Sequence, residues 1–276
     1  MESQQRDIRI VESGRQVPAS LALIAEEPLS IRIQGKAYAV VMRTPGDEKA
    51  HVAGFCLGEG IVDRPDEIAG IAFCDGGDTN VVTVALTPAR RERIAEHLDR
   101  RTYISQTSCG ICGKSIVDDL VQALTPLAEP TVLDGPSARE RLLALADHQP
   151  LRRQTRAAHA AAIYDQSLRL MSVAEDVGRH NALDKAIGHL FLERCLGRAR
   201  LLALSSRISY ELVQKAARAR IPVILAVSRP TALAVQLAEA LNMALASLGK
   251  DDSLNIYCHP RRLAWPPAAD RPSDGH

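Results

Sequence analysis

Aromatic residues make up only 3% of this 276-residue chain: one Trp, five Tyr and three Phe. Its core must be packed from Ala, Leu, Val and Ile, and rows of exposed rings that stack single-stranded bases are not to be expected. Net charge is almost absent too, since 34 Lys and Arg against 33 Asp and Glu leave +1. That balance gives no overall pull toward nucleic acid or an anionic membrane, so any anion site has to be local. No apolar run approaches the roughly 18 residues of a membrane helix, and the opening MESQQRDIRIVESGRQ lacks the apolar segment of a secretion signal. The expectation is a cytoplasmic protein with neither membrane nor nucleic acid as a partner.

Close cysteine pairs are scarce as well. Cysteines stand at 56, 74, 109, 112, 195 and 258, and only Cys109 and Cys112 lie near each other. Irregular spacing in a reducing compartment argues against a disulfide framework. Cys56, Cys74 and Cys195 have apolar neighbours and read as small buried hydrophobes. Cys258, beside His259, sits in a polar setting.

What is present has a clear order. Residues 29 to 43, LSIRIQGKAYAVVMR, alternate around a tight turn as a hairpin does. A helix follows over 48 to 57, then a strand pair at IAGIAF and NVVTVALT across Asp-Gly-Gly-Asp, then a helix from Ala89 to Leu98 after Pro88. These elements form a small α+β unit. The stretch 126 to 150 carries Pro126, Pro130, Pro136 and Pro150 around one helical segment, and the domain boundary is placed there, dividing 1–126 from 127–276.

The second half reads as α/β. AHAAAIYD and LRLMSVAED are strands joined by a short turn, followed by an amphipathic helix with Ala182, Leu183, Ala186, Ile187, Leu190 and Phe191 on one face. Continuous apolar strands ARLLAL, PVILAV, MALASL and LNIYC then alternate with helices SYELVQKAARA and TALAVQLAEALN. This pattern predicts a mostly parallel or mixed sheet covered on both faces. In such sheets ligands bind beyond the carboxyl ends of the strands, where helix N-termini attract anions. Three stretches fall there, Glu175 to Asn181, Ser205-Ser206-Arg207 and Ser228-Arg229-Pro230-Thr231, each with an arginine beside hydroxyl or amide groups. Each also admits a plainer reading: Ser, Thr, Asp and Asn cap helices, loop arginines are commonly solvated, and His180 and Asp184 are spaced for a helix-surface contact.

The pair in Thr107-Ser108-Cys109-Gly110-Ile111-Cys112-Gly113-Lys114 is compatible with three chemistries. Structural zinc normally takes four N or S ligands, yet no second close Cys or His pair exists, and no His is followed two places later by the Glu of a zinc deaminase. A thioredoxin-like site opens a helix directly after an apolar strand, whereas TYISQTS is a polar approach. Sulfur carriage needs a nucleophilic thiolate on a mobile segment, and a glycine, Gly110 or Gly113, follows each cysteine while Lys114 and a helix starting near Ser115 favour a thiolate. Local chemistry does not choose between Cys109 and Cys112.

MRTPGDE at 42–48, GFCLGEGI at 54–61, SCGICGK at 108–114, HAAAIYD at 159–165, EDVGRHNALDKAIG at 175–188, SYELVQKA at 209–216, AVSRPTALAVQLAE at 226–239 and NIY at 255–257 together resemble the FdhD/NarQ family of formate dehydrogenase accessory proteins, in family order. The resemblance implies a cytidine deaminase-like fold lacking the deaminase zinc set, preceded by the smaller domain, in a homodimer. It implies a sulfurtransferase that takes sulfane sulfur from a cysteine desulfurase as a persulfide on Cys109, with Cys112 assisting. The sulfur then passes to the molybdenum cofactor, bis-molybdopterin guanine dinucleotide, before that cofactor enters formate dehydrogenase. The cofactor is a transient ligand, with nothing permanently bound and no metal site. The resemblance places the cofactor partly on Leu248, Gly249, Lys250, Asp251, Asp252 and Ser253, and the sheet-edge loops are expected to add Arg179, His180, Arg207 and Ser228 to hold its phosphates or guanine.

The chain also departs from the family pattern. T-G-G-x-H-A reads Thr155-Arg156-Ala157-Ala158-His159-Ala160, S-G-R reads Ser205-Ser206-Arg207, Arg229 replaces a small residue, and Lys250 stands in place of an arginine. Filling glycine positions near a ligand reshapes a pocket, while added arginines strengthen anion binding. The alternative these departures favour is a divergent paralogue that chaperones the cofactor without obligatory sulfur transfer.

Overall fold

The computed structural model describes residues 1–75, 78–101, 124–128 and 131–266. Its centre is a six-stranded sheet built from β8 (His159–Tyr164), β9 (Leu170–Asp176), β10 (Leu201–Leu204), β11 (Val223–Ala226), β12 (Ala244–Leu248) and β13 (Leu254–Cys258), ordered β13-β12-β11-β10-β8-β9. The continuous apolar strands are explained by burial on both faces. Ala161, Ile163, Leu202, Leu204, Ile224, Ala226 and Leu245 point into one core, while Ala160, Ala162, Leu201, Ala203, Val223, Leu225 and Ala244 point into the other. Helices α5 (Arg179–Leu192), α6 (Tyr210–Arg218) and α7 (Ala232–Ala240) cover the first face. The second is covered by α3 (Gly135–Leu143), whose Ala138 and Leu142 join that core.

The sheet is mixed. Only β10-β11 and β11-β12 pair in parallel; β8, β9 and β13 run antiparallel to their neighbours. Chain geometry requires this, because the links 165–169 and 249–253 are far too short for a parallel crossover. Of the mostly parallel or mixed sheet expected, the chain forms the mixed one.

The smaller unit contains β3 (Glu27–Ile33), β4 (Lys36–Arg43), α1 (Glu48–Gly58), β5 (Ile68–Asp75), β6 (Asp78–Leu86) and α2 (Pro88–Arg101), with sheet order β4-β3-β6-β5. Each element was anticipated within a few residues. An N-terminal hairpin of β1 (Ser3–Glu12) and β2 (Arg15–Ile24) was not, although Ser13-Gly14 is a turn signal and both residues have positive φ. Pro18 and the mainly exposed surface of β2 had masked it. Two short elements also went unread: β7 (Leu133–Asp134), which pairs with β14 (Leu263–Ala264), and α4 (Pro150–Thr155).

One continuous core joins the two sheets, running from Leu29, Ile31 and Val82 through Val52 and Phe55 of α1 to Leu183, Ile187 and Leu190 of α5. Two glycines allow α1 and α5 to touch. A Cβ at Gly54 would lie 1.9 Å from the Asp184 carbonyl oxygen, and one at Gly188 would lie 1.8 Å from that of Ala50. Helix α5 is consequently not amphipathic in the expected way. The anticipated face is buried, but Asn181, Asp184 and Lys185 on other faces are buried too, because α1 covers what would have been the solvent side. Among the described residues no helix is long and apolar enough to cross a membrane.

Candidate functional site

The carboxyl ends of β10, β11 and β12 share one sheet edge with the start of β8 and the end of β9, since Ala161 pairs with Leu204 and His159 with Asp176. Loops 155–159, 175–181, 205–209, 227–231 and 248–253 consequently lie along this edge. The backbone ties them sideways: Ser205 N–H donates to the Ala160 carbonyl at 3.1 Å, Thr231 N–H to that of Ile208 at 3.0 Å, and Ser228 N–H to that of Ser206 at 3.4 Å.

The Glu175–Asn181 loop is held from beneath by a buried carboxylate. Asp176, with 0% exposure, accepts from Thr44 N–H at 3.0 Å and Lys185 Nζ at 2.8 Å through Oδ2, and from Gly178 N–H at 2.8 Å and Asn181 Nδ2 at 2.9 Å through Oδ1. Asn181 also donates to the Met42 carbonyl at 2.7 Å, Lys185 to that of Thr44 at 2.8 Å, and Thr44 Oγ1 accepts from Val177 N–H at 3.1 Å. This lock joins the end of β4 to the loop, so two of the chain's most distinctive motifs, MRTPGDE and EDVGRHNALDK, form one structure.

Arg179 and His180 project from that loop at the start of α5. The Nε of Arg179 is buried without a hydrogen-bond partner, and its pKa is lowered, first by burial and then by the charge of Arg207. Nδ1 of His159 is likewise buried and unpartnered; burial, then Arg179 and Arg152, push its pKa down. Cationic groups that depress one another's ionisation, with donors unused, are what an absent anion would relieve. His180 Nε2 lies 3.0 Å from Glu211 Oε2 and 3.2 Å from Ser209 Oγ, and that contact is the main reason the Glu211 pKa is lowered. The His180–Asp184 contact suggested by spacing gives way to other partners, because Asp184 takes Lys215 Nζ at 2.8 and 2.9 Å. Arg207 and Ser228 are exposed on their loops. Thr231 fulfils its plainer role, capping α7 by accepting from Ala234 N–H at 3.2 Å.

The loop Leu248 to Ser253 forms a separate part of the edge. Gly249 N–H donates to the Ser253 carbonyl at 2.7 Å, and a Cβ on Gly249 would lie 2.4 Å from Ser253 Oγ, so a side chain there would have to turn that hydroxyl aside. Asp251 and Asp252 both adopt left-handed backbone, with φ of 53° and 58°. With Ser253, Pro136, Arg139, Leu254, Ile256 and Trp265 they line an open depression of about 410 Å³, and Arg139 Nε donates to the Asp252 carbonyl. Lys250 is exposed. Among the described residues this loop makes no hydrogen bond or ion pair to Arg179, His180 or Arg207.

Several contributors were not anticipated. His159 was noted only as a motif position, and Trp265, Arg139 and Glu211 carried no local signal. Cys109 and Cys112, the turn around them and the helix expected from Ser115 lie outside the described residues, as does the Cys74 side chain. Cys56 is fully buried, and burial pushes its thiol pKa far up. Cys258 is buried too, its thiol 3.1 Å from the Met243 carbonyl and raised to about 11. Cys195 corrects the expectation of burial: it is only partly covered at the end of α5, 3.8 Å from the Glu193 carboxylate. At the lost glycines, Arg156 keeps a left-handed backbone with φ of 59°, and the Ser206 hydroxyl donates to the Arg207 carbonyl at 3.0 Å.

The FdhD/NarQ family model matches residues 24–264. Among curated proteins the chain is 37% identical over 281 residues to the sulfur carrier protein FdhD of Streptomyces avermitilis, covering 97% of this chain and 98% of that one. It is 35% identical over 271 residues to the protein of the same name from Xanthomonas campestris pv. campestris, covering 97% and 95%. Among solved structures it resembles a formate dehydrogenase accessory protein of Desulfotalea psychrophila, with a TM-score of 0.76 and 23% identity over 96% of this chain and 100% of that one.

Proposed function

The chain belongs to the FdhD/NarQ family, and on that footing we propose that it is a sulfur carrier serving formate dehydrogenase maturation. The Cys109 thiolate attacks the outer sulfur of a cysteine desulfurase persulfide. A new S–S bond forms, the desulfurase cysteine leaves as thiolate, and Cys109 carries the sulfur as Cys109–S–SH. In the second step the Cys112 thiolate attacks the inner Cys109 sulfur and the bond to the outer sulfur breaks. That sulfur passes at the sulfide level to the bis-molybdopterin guanine dinucleotide cofactor as substrate, and the Cys109–Cys112 disulfide left behind is reduced by an external thiol. Formate dehydrogenase is the client, the protein works as a cytoplasmic homodimer, and the larger domain is read as cytidine deaminase-like.

One observation carries the docking half of this reading: Arg179 Nε and His159 Nδ1 stand buried and unpartnered on an edge where Arg179 also feels Arg207. Planar guanidinium forks suit phosphate oxygens, and a dry surrounding strengthens each contact. Arg179 and Arg207 bind the pyrophosphate, and His159 and His180 supply further polar contacts. The 248–253 loop takes the nucleoside end, where Asp251 and Asp252 face donors on the guanine edge rather than the phosphates that would repel them.

Native mass spectrometry of protein purified from a host that makes the cofactor tests this docking. A guanine dinucleotide mass on the wild type, diminished in Arg179→Gln, is expected. Its absence from the wild type, with the cofactor demonstrably available, overturns the docking reading.

A further inference from the structure

At the β8 end of that edge, α4 and the turns on either side form a second cationic feature. A cavity of about 330 Å³ is lined by Ala146, Gln149, Arg152, Arg153 and Arg156. None of these three arginines forms an ion pair among the described residues. Backbone carbonyls fix two of them. Arg152 Nη1 donates to Ala158 at 3.0 Å, and Arg153 Nη1 donates to Ala146 at 3.1 Å and Asp147 at 3.0 Å. Their remaining N–H groups are left for a ligand, and among the described residues the Arg156 side chain makes no hydrogen bond.

A second observation comes from Gln149, which lines the same cavity. It is 5% exposed and its Nε2 is buried with no hydrogen-bond partner, an uncommon state for an amide donor. The neighbouring carboxylate of Glu175 accepts Leu151 N–H at 2.8 Å and Arg152 N–H at 2.9 Å, closing the start of α4, and forms no ion pair with the three guanidinium groups among the described residues. Arg156 reaches the cavity from a left-handed residue with φ of 59° that turns α4 back toward β8.

We propose that the cavity lined by Gln149, Arg152, Arg153 and Arg156 is a binding subsite for a phosphate or pyrophosphate group. Its volume is at the lower end of the roughly 300–1,000 Å³ of small-molecule pockets, enough for a pyrophosphate and far short of a whole dinucleotide cofactor. Planar guanidinium forks with an amide donor match phosphoryl oxygens, and nothing in the lining favours a cation. The site follows from residues on α4 and its flanks and does not depend on sulfur transfer.

Equilibrium dialysis of the full chain with inorganic pyrophosphate and, separately, with GDP tests the assignment. Arg156→Gly removes one guanidinium while placing at a left-handed position the residue that adopts it most easily, and circular dichroism verifies its fold. Arg152→Gln supplies an independent variant. Saturable pyrophosphate binding that weakens at least tenfold in both variants is expected. An equal loss for GDP assigns the subsite to a nucleotide's phosphates, and a loss confined to pyrophosphate assigns it to the free anion. No saturable pyrophosphate binding by the wild type, or unchanged affinity in both variants, overturns the proposal. Persulfide loading at Cys109 does not enter this readout, so the sulfur-carrier reading stands or falls separately.

Discussion

Replacing Asp176 by Ala removes the acceptor on which four donors converge: the backbone N–H groups of Thr44 and Gly178, the Asn181 amide and the Lys185 ammonium. The Lys185 side chain is 3% exposed, so its charge would stay buried without its counter-ion. Breaking a buried pair from one side costs about 3–5 kcal/mol, and each backbone N–H left unsatisfied adds about 1–3 kcal/mol unless water enters. Lys185 keeps the Thr44 carbonyl and Asn181 keeps that of Met42, which lowers the sum. A loss of about 4–6 kcal/mol follows, a large part of the roughly 5–15 kcal/mol that holds a typical domain folded. Urea unfolding followed by circular dichroism measures it. The diagnostic step is the double variant with Lys185→Met, which removes the orphaned charge and should recover about 2 kcal/mol relative to additive singles. A single-variant loss below about 1 kcal/mol, or strict additivity in the double variant, would refute the idea that a charged lock fixes the 175–181 loop.

Gly54→Ala should cost about 2 kcal/mol in the same unfolding measurement despite the better helix propensity of Ala, because the new Cβ, 1.9 Å from the Asp184 carbonyl oxygen, forces α1 and α5 apart; a more stable variant would disprove that contact. Asp47 and His189 give a pH signature. The hydrogen bond to Asp47 raises the His189 pKa, and its counterpart from His189 lowers that of Asp47, with 3.4 Å between the groups. The His189 contribution is complete below its ordinary value of about 6.5 and disappears as pH rises through the raised value, while the Asp47 contribution disappears as pH falls through its lowered value. The stability difference between wild type and His189→Gln should therefore shrink between about pH 6 and pH 8, and shrink throughout at high salt because both side chains are substantially exposed. A difference independent of pH would remove the pair from the account.

How much could be read in advance follows from where each signal resides. Strand residues such as Leu201-Leu202-Ala203-Leu204 are apolar on both faces, which reveals a covered sheet, and the alternation with helices placed the Arg179, Arg207 and Ser228 loops on one edge before any coordinates. Strand direction was harder to infer. It depended on link length, and the short links 165–169 and 249–253 set β9 and β13 antiparallel. The tight α1–α5 crossing was invisible because Gly54 and Gly188 are far apart in sequence, and only their packing shows why neither tolerates a side chain. For the same reason α5 looked amphipathic while its polar residues were in fact buried partners for Asp176 and Lys215. His159 escaped notice as a site residue because its character comes from burial, then from Arg179 and Arg152, which the fold brings beside it at the edge.

The central claim, that Cys109 carries sulfur, is tested most directly by incubating the purified chain with a cysteine desulfurase and cysteine labelled on sulfur, then locating the label by peptide mass spectrometry. The account predicts one reductant-labile sulfur on the peptide containing Cys109 in the wild type and none on the chain in Cys109→Ala. An unlabelled wild type, or a Cys109→Ala variant that still takes up label, would contradict it.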